Sequence, residues 1–182
     1  RDWSSDVCSS DLLVGLLGQT TFRLYASGDV IGAQIGGAVK NVMAIATGIV
    51  HGLGLGENAR AALLTRGLAE MARYGLARGA RRETMMGLSG LGDLILTCSS
   101  LQSRNMSLGD EIGRGGDAQT VLAGRRSVAE GALTAGVLAA EAQRLAIDMP
   151  ICSTVDAILT GGVALTDAID DLLTRPFKSE EA

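Results

Sequence analysis

The sequence predicts a mainly α-helical protein, a multi-helix domain carrying at most one remnant strand. Aromatic residues make up only 3% of its 182 residues, against 25 glycines and two prolines. That balance suits closely packed Ala/Gly/Leu-rich helices better than a β-sandwich. Apolar residues recur at helical spacing along most of the chain, and no strand-helix alternation that would build a parallel sheet follows Tyr25. With 47% hydrophobic residues and 20% charged ones, the chain is long enough to bury a core of its own.

Residues 1–12 open with the polar, Ser-Asp-rich text RDWSSDVCSSD, unlike the apolar, Gly/Ala-rich text after Leu12. They read as a foreign or disordered leader outside the fold. Phe22-Arg23-Leu24-Tyr25 is a short strand candidate ended by Ser27-Gly28-Asp29, and Asp29 is suited to cap a helix starting near Val30. From Val30 to Val50 the chain is apolar or small except at Gln34, Lys40, Asn41 and Thr47. That length meets the criterion for a membrane span. Its four glycines, central Lys-Asn pair and lack of a basic flank favour instead one helix, or a broken pair, buried on all sides of a globular core.

Glu57 to Leu76 puts Leu63, Leu64, Leu68 and Met71 on one face, with Arg60, Arg66, Glu70 and Arg73 largely elsewhere. Further helices are expected over Ser103–Ile112, Asp117–Ala123, Ala129–Ala146, Ser153–Leu159 and Leu165–Leu173, separated by joints such as Gly113–Gly116 and Gly161-Gly162.

A formal charge of −4 argues against a nucleic-acid or anionic-membrane surface. Cys8, Cys98 and Cys152 are far apart and lack metal-ligand spacing, which argues against a disulfide framework or zinc site and for a reducing compartment. The single histidine, His51, reads as a helix-end residue facing solvent. Gly54-Leu55-Gly56-Glu57-Asn58-Ala59 formally fits the dinucleotide fingerprint but has no βαβ unit around it, so an interhelical turn accounts for it better. Gly90-Leu91-Gly92 is a similar decoy.

Lys40 is the most informative residue. An ammonium in the middle of a long apolar element carries a desolvation cost unless it is paired or gives up its proton more readily, and a lysine of the second kind can exchange a proton with a substrate oxygen. The plain alternative is a lysine reaching to solvent on a face marked by Gln34 and Asn41. Asp93, after Gly90-Leu91-Gly92, reads as a helix N-cap, or as Lys40's orienting partner if the two meet. Ser103-Arg104-Asn105 opens a helix with a hydroxyl, a guanidinium and an amide, which makes either a solvated cap or a phosphate cradle. Ser127-Val128-Ala129-Glu130 fits a capping box, and Arg81-Arg82 and Arg125-Arg126 read as surface charges.

Several stretches in fixed order carry a family resemblance: Phe22-Arg23-Leu24-Tyr25, Asp29-Val30-Ile31-Gly32, Gly36-Gly37-Ala38-Val39-Lys40-Asn41, Asn58-Ala59-Arg60, Thr65 to Met71, Gly90 to Leu94, and Gln102 to Asn105. From about Val14 onward the chain resembles the C-terminal domain of bacterial NAD(P)-dependent glycerol-3-phosphate dehydrogenase. The resemblance implies residues 13–28 as the remnant of a nucleotide-binding domain, 29–175 as the helical substrate domain and 176–182 as a tail. It implies Lys40 and Asp93 as catalytic residues, with Ser103, Arg104 and Asn105 joining them in holding the substrate. Arg104, Val128 and Glu130 would meet NAD(P)H, and Asn41 and Thr97 would support. The implied reaction is the cytoplasmic interconversion of dihydroxyacetone phosphate and sn-glycerol 3-phosphate in glycerophospholipid synthesis. The alternative is a non-catalytic helical module derived from that enzyme, self-associating through an uncovered apolar face.

Overall fold

The computed structural model of the protein describes residues 7–125, 127 and 129–173, which form ten α-helices and one π-helical segment. They fall into two compact units, Arg1–Val30 and Ile31–Ala182. The first holds α1 (Val7–Leu17), which runs through the compositional break at Leu12. A tight reversal follows, in which Gln19 and Phe22 exchange backbone hydrogen bonds of 2.9 and 3.0 Å. That isolated bridge is the only strand pairing among the described residues, so the strand expected over Phe22–Tyr25 is not formed. A strand exists only as part of a ladder, and Phe22 pairs with its own turn while Arg23–Tyr25 have no neighbouring strand.

The second unit is built around α2 (Val30–Gly52), which is one unbroken helix. Every residue from Val42 to Ile49 is buried. Two of its glycines, Gly48 and Gly52, serve a close crossing with α6 (Arg104–Gly113). A Cβ on Gly48 would lie 2.1 Å from the Met106 carbonyl oxygen, and one on Gly109 would lie 2.0 Å from that of Ile45. Gly52 and Gly113 repeat the arrangement one turn further on. Among the described residues α2 is the one helix long and apolar enough to cross a membrane, and its central turns are enclosed by protein.

A turn with Gly54 at φ 68° and Gly56 at φ 86° leads into α3 (Gly56–Ala77), so Gly54-Leu55-Gly56 is the interhelical joint expected of it. Leu63, Leu64, Leu68 and Met71 pack on the core as expected. Glu70 does not lie elsewhere: it is 1% exposed, and its carboxylate accepts the backbone N–H groups of Ile151 (2.7 Å) and Cys152 (3.2 Å). These are first-turn amides of α9 (Pro150–Leu159), whose own N-cap residue, Met149, supplies no side-chain bond. Glu70 thus caps α9 from another helix.

Burial pushes the Glu70 carboxyl up to about 7, against the pull of the two amides. The unfolded chain releases this proton near 4.5, so between the two values the folded state holds more proton than the unfolded one. Stability from this group is therefore full below pH 4.5 and falls as pH rises to about 7, by up to about 3 kcal/mol. Urea unfolding of the chain and of Glu70→Gln at pH 5 and 7.5 checks this. The difference in stability between the two proteins should shift against the native chain at the higher pH, and equal shifts in both would refute it.

The chain continues through α4 (Arg82–Met86), a π-helical segment (Leu88–Gly92) and α5 (Asp93–Cys98). Next come α6, α7 (Ala118–Gly124), α8 (Glu130–Leu145), α9 and α10 (Leu165–Leu173), all within a few residues of their expected bounds. Asp117 caps α7 by accepting the Thr120 N–H at 2.9 Å. The expected capping box at Ser127–Glu130 is not formed. Helix α8 starts at Glu130 with Ala129 as N-cap, which leaves Ser127 too early to reach its first amides. His51 does not face solvent alone: its Nδ1 meets Asp110 Oδ1 at 2.6 Å across the α2–α6 crossing. Arg114, whose Nε donates to Asp110 Oδ2 at 2.8 Å, holds that carboxyl below its ordinary range, burial opposes, and His51 adds to the lowering. Cys98 and Cys152 are buried free thiols.

Candidate active site

Gly36 lets α2 approach the π-helical segment until a Cβ there would lie 2.0 Å from the Ser89 carbonyl oxygen. Lys40, one turn further along α2, is thereby carried to the start of α5. The π-turn is closed by the Gly92 N–H donating to Gly87 O at 3.0 Å, and it requires Gly90, where a Cβ would lie 2.0 Å from Met85 O. Its wide winding delivers Asp93 as the first residue of α5, with Gly92 in the N-cap position and no side-chain capping bond. Asp93 is therefore not a cap. Its Oδ2 accepts a hydrogen bond from Lys40 Nζ, and both side chains remain partly open to solvent. Thr97, one turn along α5, makes a long 3.5 Å contact with Asp93 Oδ1.

Beneath this pair, burial pushes the Cys98 thiol up to about 11, which keeps it protonated and unreactive. Arg60 of α3 donates to the Cys98 carbonyl at 3.2 Å and so ties down the far end of α5. Sequence reading gave Arg60 no such role, because its partner is a backbone oxygen distant along the chain.

Beside Lys40, Asn41 starts a chain of amide bonds. Its Nδ2 donates to Gly37 O (3.2 Å), its Oδ1 accepts from Asn105 Nδ2 (3.0 Å), and Asn105 Oδ1 accepts the Gly131 N–H (3.0 Å). This chain seats the first turns of α6 and α8 against α2. Gly131 is needed there, since a Cβ would fall 2.5 Å from Asn41 O. Ser103 caps α6 by accepting the Met106 N–H at 3.3 Å. Arg104, exposed at the first position of α6, lies 3.6 Å from the exposed carboxylate of Glu130 at the first position of α8. Val128 and Arg126 lie outside the described residues.

Lys40, Asp93, Arg104 and Glu130 come from four helices, and Asn41 and Asn105 are the struts that join three of these elements. Thr97 backs the pair from one side. Two apolar residues on either side of Asp93 in sequence are open to solvent: Leu88 is 64% and Leu96 73% exposed. A cleft of about 710 Å³ between α8, α9 and α10 contains none of these residues. Among the described residues there is no grouping of His, Cys, Asp and Glu able to hold a metal ion.

Residues 29–170 match the profile of the NAD-dependent glycerol-3-phosphate dehydrogenase C-terminus. A glycerol-3-phosphate dehydrogenase [NAD(P)+] of Rhodospirillum rubrum is 60% identical over 97% of this chain and 50% of its own length. One from Sphingopyxis alaskensis is 54% identical over 97% of the chain and 54% of its own length. Among solved structures, the glycerol-3-phosphate dehydrogenase of Coxiella burnetii superposes with a TM-score of 0.88 at 43% identity, covering 94% of this chain and 53% of that one. The chain spans about half the length of the curated relatives it matches.

Proposed function

Because the chain belongs to the NAD-dependent glycerol-3-phosphate dehydrogenase C-terminus family, we propose that it is the substrate-holding half of an enzyme interconverting dihydroxyacetone phosphate and sn-glycerol 3-phosphate in bacterial glycerophospholipid synthesis. The observation that carries this reading is the Lys40–Asp93 pair at the open end of the helical unit. A lysine merely reaching to solvent has no need of a π-turn that aims a carboxylate at its ammonium.

In this reading Lys40 is the general acid that gives its proton to the carbonyl oxygen becoming an alkoxide, and takes it back in the reverse direction. Asp93 keeps the ammonium aimed at that oxygen, and a preorganised cation there stabilises the developing negative charge better than mobile water does. Thr97 limits the rotation of Asp93. The phosphate goes to the start of α6, where Ser103, Arg104 and Asn105 lie beside first-turn amides and the positive end of the helix dipole. Asn105 acts there mainly through its backbone, because its side chain is committed to Asn41 and Gly131.

NAD(P)H, when bound, supplies the hydride. The residues suited to it are Arg104 and Glu130, an exposed ion pair whose donors and acceptor lie at two helix N-termini, with Val128 between them in sequence. Gly54-Leu55-Gly56 does not suit the pyrophosphate, since it is a turn between two helices rather than a strand-to-helix loop. This chain therefore offers one wall for the cofactor, and the exposed Leu88 and Leu96, near Asp93 in sequence, are suited to meet a second wall.

The test is to join this chain to the part of the Rhodospirillum rubrum relative that lies outside the matched half. The joined protein should oxidise NADH or NADPH when given dihydroxyacetone phosphate. A joined protein that folds and binds the dinucleotide yet turns over no substrate would overturn the reading. The non-catalytic module instead predicts a clean oligomer and no turnover in either form.

A further inference from the structure

Arg125, which reads from sequence as a surface charge, is only 14% exposed in its side chain. It stands at the C-terminal end of α7, where the chain turns towards α8. Its guanidinium donates to three acceptors on the first two turns of α6: Arg104 O at 2.9 Å, Ser107 Oγ at 2.9 Å and Glu111 Oε1 at 2.7 Å. A planar fork whose two terminal nitrogens reach a carbonyl, a hydroxyl and a carboxylate fixes direction as well as distance, which a lysine ammonium does not, even though its buried Nε has no partner of its own. A side chain that only kept the surface soluble would not be drawn inward to bind a backbone carbonyl.

The partners show what the clamp controls. The carbonyl it holds belongs to Arg104, and the chain it anchors enters α8, whose first residue is Glu130. At the other end of the same connection, the Gly131 N–H is fixed to Asn105, also on α6. The 3.6 Å Arg104–Glu130 contact joins two exposed side chains, too loose to set its own geometry. The backbone must set it. Asn105 fixes where α8 starts, and Arg125 fixes the end of α7 on the same helix.

We propose that Arg125 is a positioning residue for the dinucleotide side of the site: it holds the end of α7 on α6, so that the chain leading to Glu130 starts from a fixed point and Glu130 faces Arg104. This rests on the cofactor reading of Arg104 and Glu130 given above. Arg104 stays in place without the clamp, because its backbone belongs to α6 and Ser103 caps that helix. The consequence is a split: loss of Arg125 weakens the dinucleotide and spares the phosphate substrate.

The experiment uses the joined enzyme and measures KM for NADH, KM for dihydroxyacetone phosphate, kcat and melting temperature for Arg125→Met, Arg125→Lys, Ser107→Ala and Glu130→Ala. Arg125→Met should raise the NADH KM about tenfold and leave kcat and the other KM within about twofold. Arg125→Lys should recover only part of the loss, and Ser107→Ala should raise the NADH KM about twofold. If Arg125→Met does not fold, Ser107→Ala and Arg125→Lys carry the test. A lowered melting temperature with NADH KM unchanged in the Arg125 and Ser107 variants, while Glu130→Ala raises it, overturns the clamp and leaves the cofactor reading standing. No change in NADH KM with Glu130→Ala overturns both.

Discussion

Lys40→Ala in the joined enzyme should lower kcat by about 10²- to 10⁴-fold, the range expected when a positioned proton donor is lost. KM for the dinucleotide should stay within about threefold. The side chain reaches out of the core to Asp93 rather than packing inside it, so the melting temperature should change by no more than a few degrees. Lys40→Arg is the sharper variant. It keeps the positive charge and the reach to Asp93, but a guanidinium does not give up its proton, so it should be nearly as inactive as the alanine variant. Asp93→Asn keeps the shape and removes the charge that aims Lys40, and should cost a smaller factor, of order 10- to 100-fold. Stopped-flow or steady-state loss of NADH absorbance measures all three. Activity of the arginine variant near that of the native enzyme would mean that the ammonium supplies only charge, and the proton would have to come from elsewhere.

The second large effect concerns folding. Gly109→Val should destabilise the chain by more than about 4 kcal/mol, a large share of what a domain of this size has. Its Cβ would sit 2.0 Å from Ile45 O and 2.9 Å from Ile49 N, all backbone atoms that cannot swing aside as a side chain can. Helices α2 and α6 would have to separate. The contacts of Met106, Ile112, Ile45 and Ile49 would go with them, as would the His51–Asp110 pair. Gly37→Ala is the control: nothing lies within 4 Å of the added carbon, and an alanine in mid-helix should be neutral or stabilising by up to about 1 kcal/mol. Far-UV circular dichroism melts decide. A Gly109→Val chain melting within a few degrees of the native one would mean that the two helices do not cross at this distance.

Both effects depend on features that the sequence revealed to different degrees. Helices α2, α3, α6, α7, α8 and α10 follow from apolar spacing and from caps such as Ser103 and Asp117, which act within one turn of the residues they cap. The strand at Phe22–Tyr25 was misjudged for the opposite reason: strand propensity is local, but a strand is made by its neighbour. Lys40, Asp93 and Ser103-Arg104-Asn105 were legible as chemistry, and the family resemblance put them together. The Lys40–Asp93 contact was one of two readings of Asp93 and was implied by the resemblance, whereas Asn41–Asn105 and Asn105–Gly131, which join separate helices, were not legible. Glu70 shows how such a residue escapes. It lies on the stripe of Gly67, Met71 and Tyr74, and the absence of a capping side chain before Pro150 was a second clue, but only the fold joins the two. His51 and Arg125 read as surface residues for the same reason, since their partners on α6 are distant along the chain.

The burial of α2 has a further meaning for how the site moves. Two turns of the helix immediately after Lys40, from Val42 to Ile49, are enclosed on every side, and glycine contacts lock them to α6. A helix held like this does not tilt or slide without taking the whole core with it. Lys40 is therefore a fixed post. It does not follow a substrate, so the substrate must be brought to it. The point at which the proton would change hands stays still.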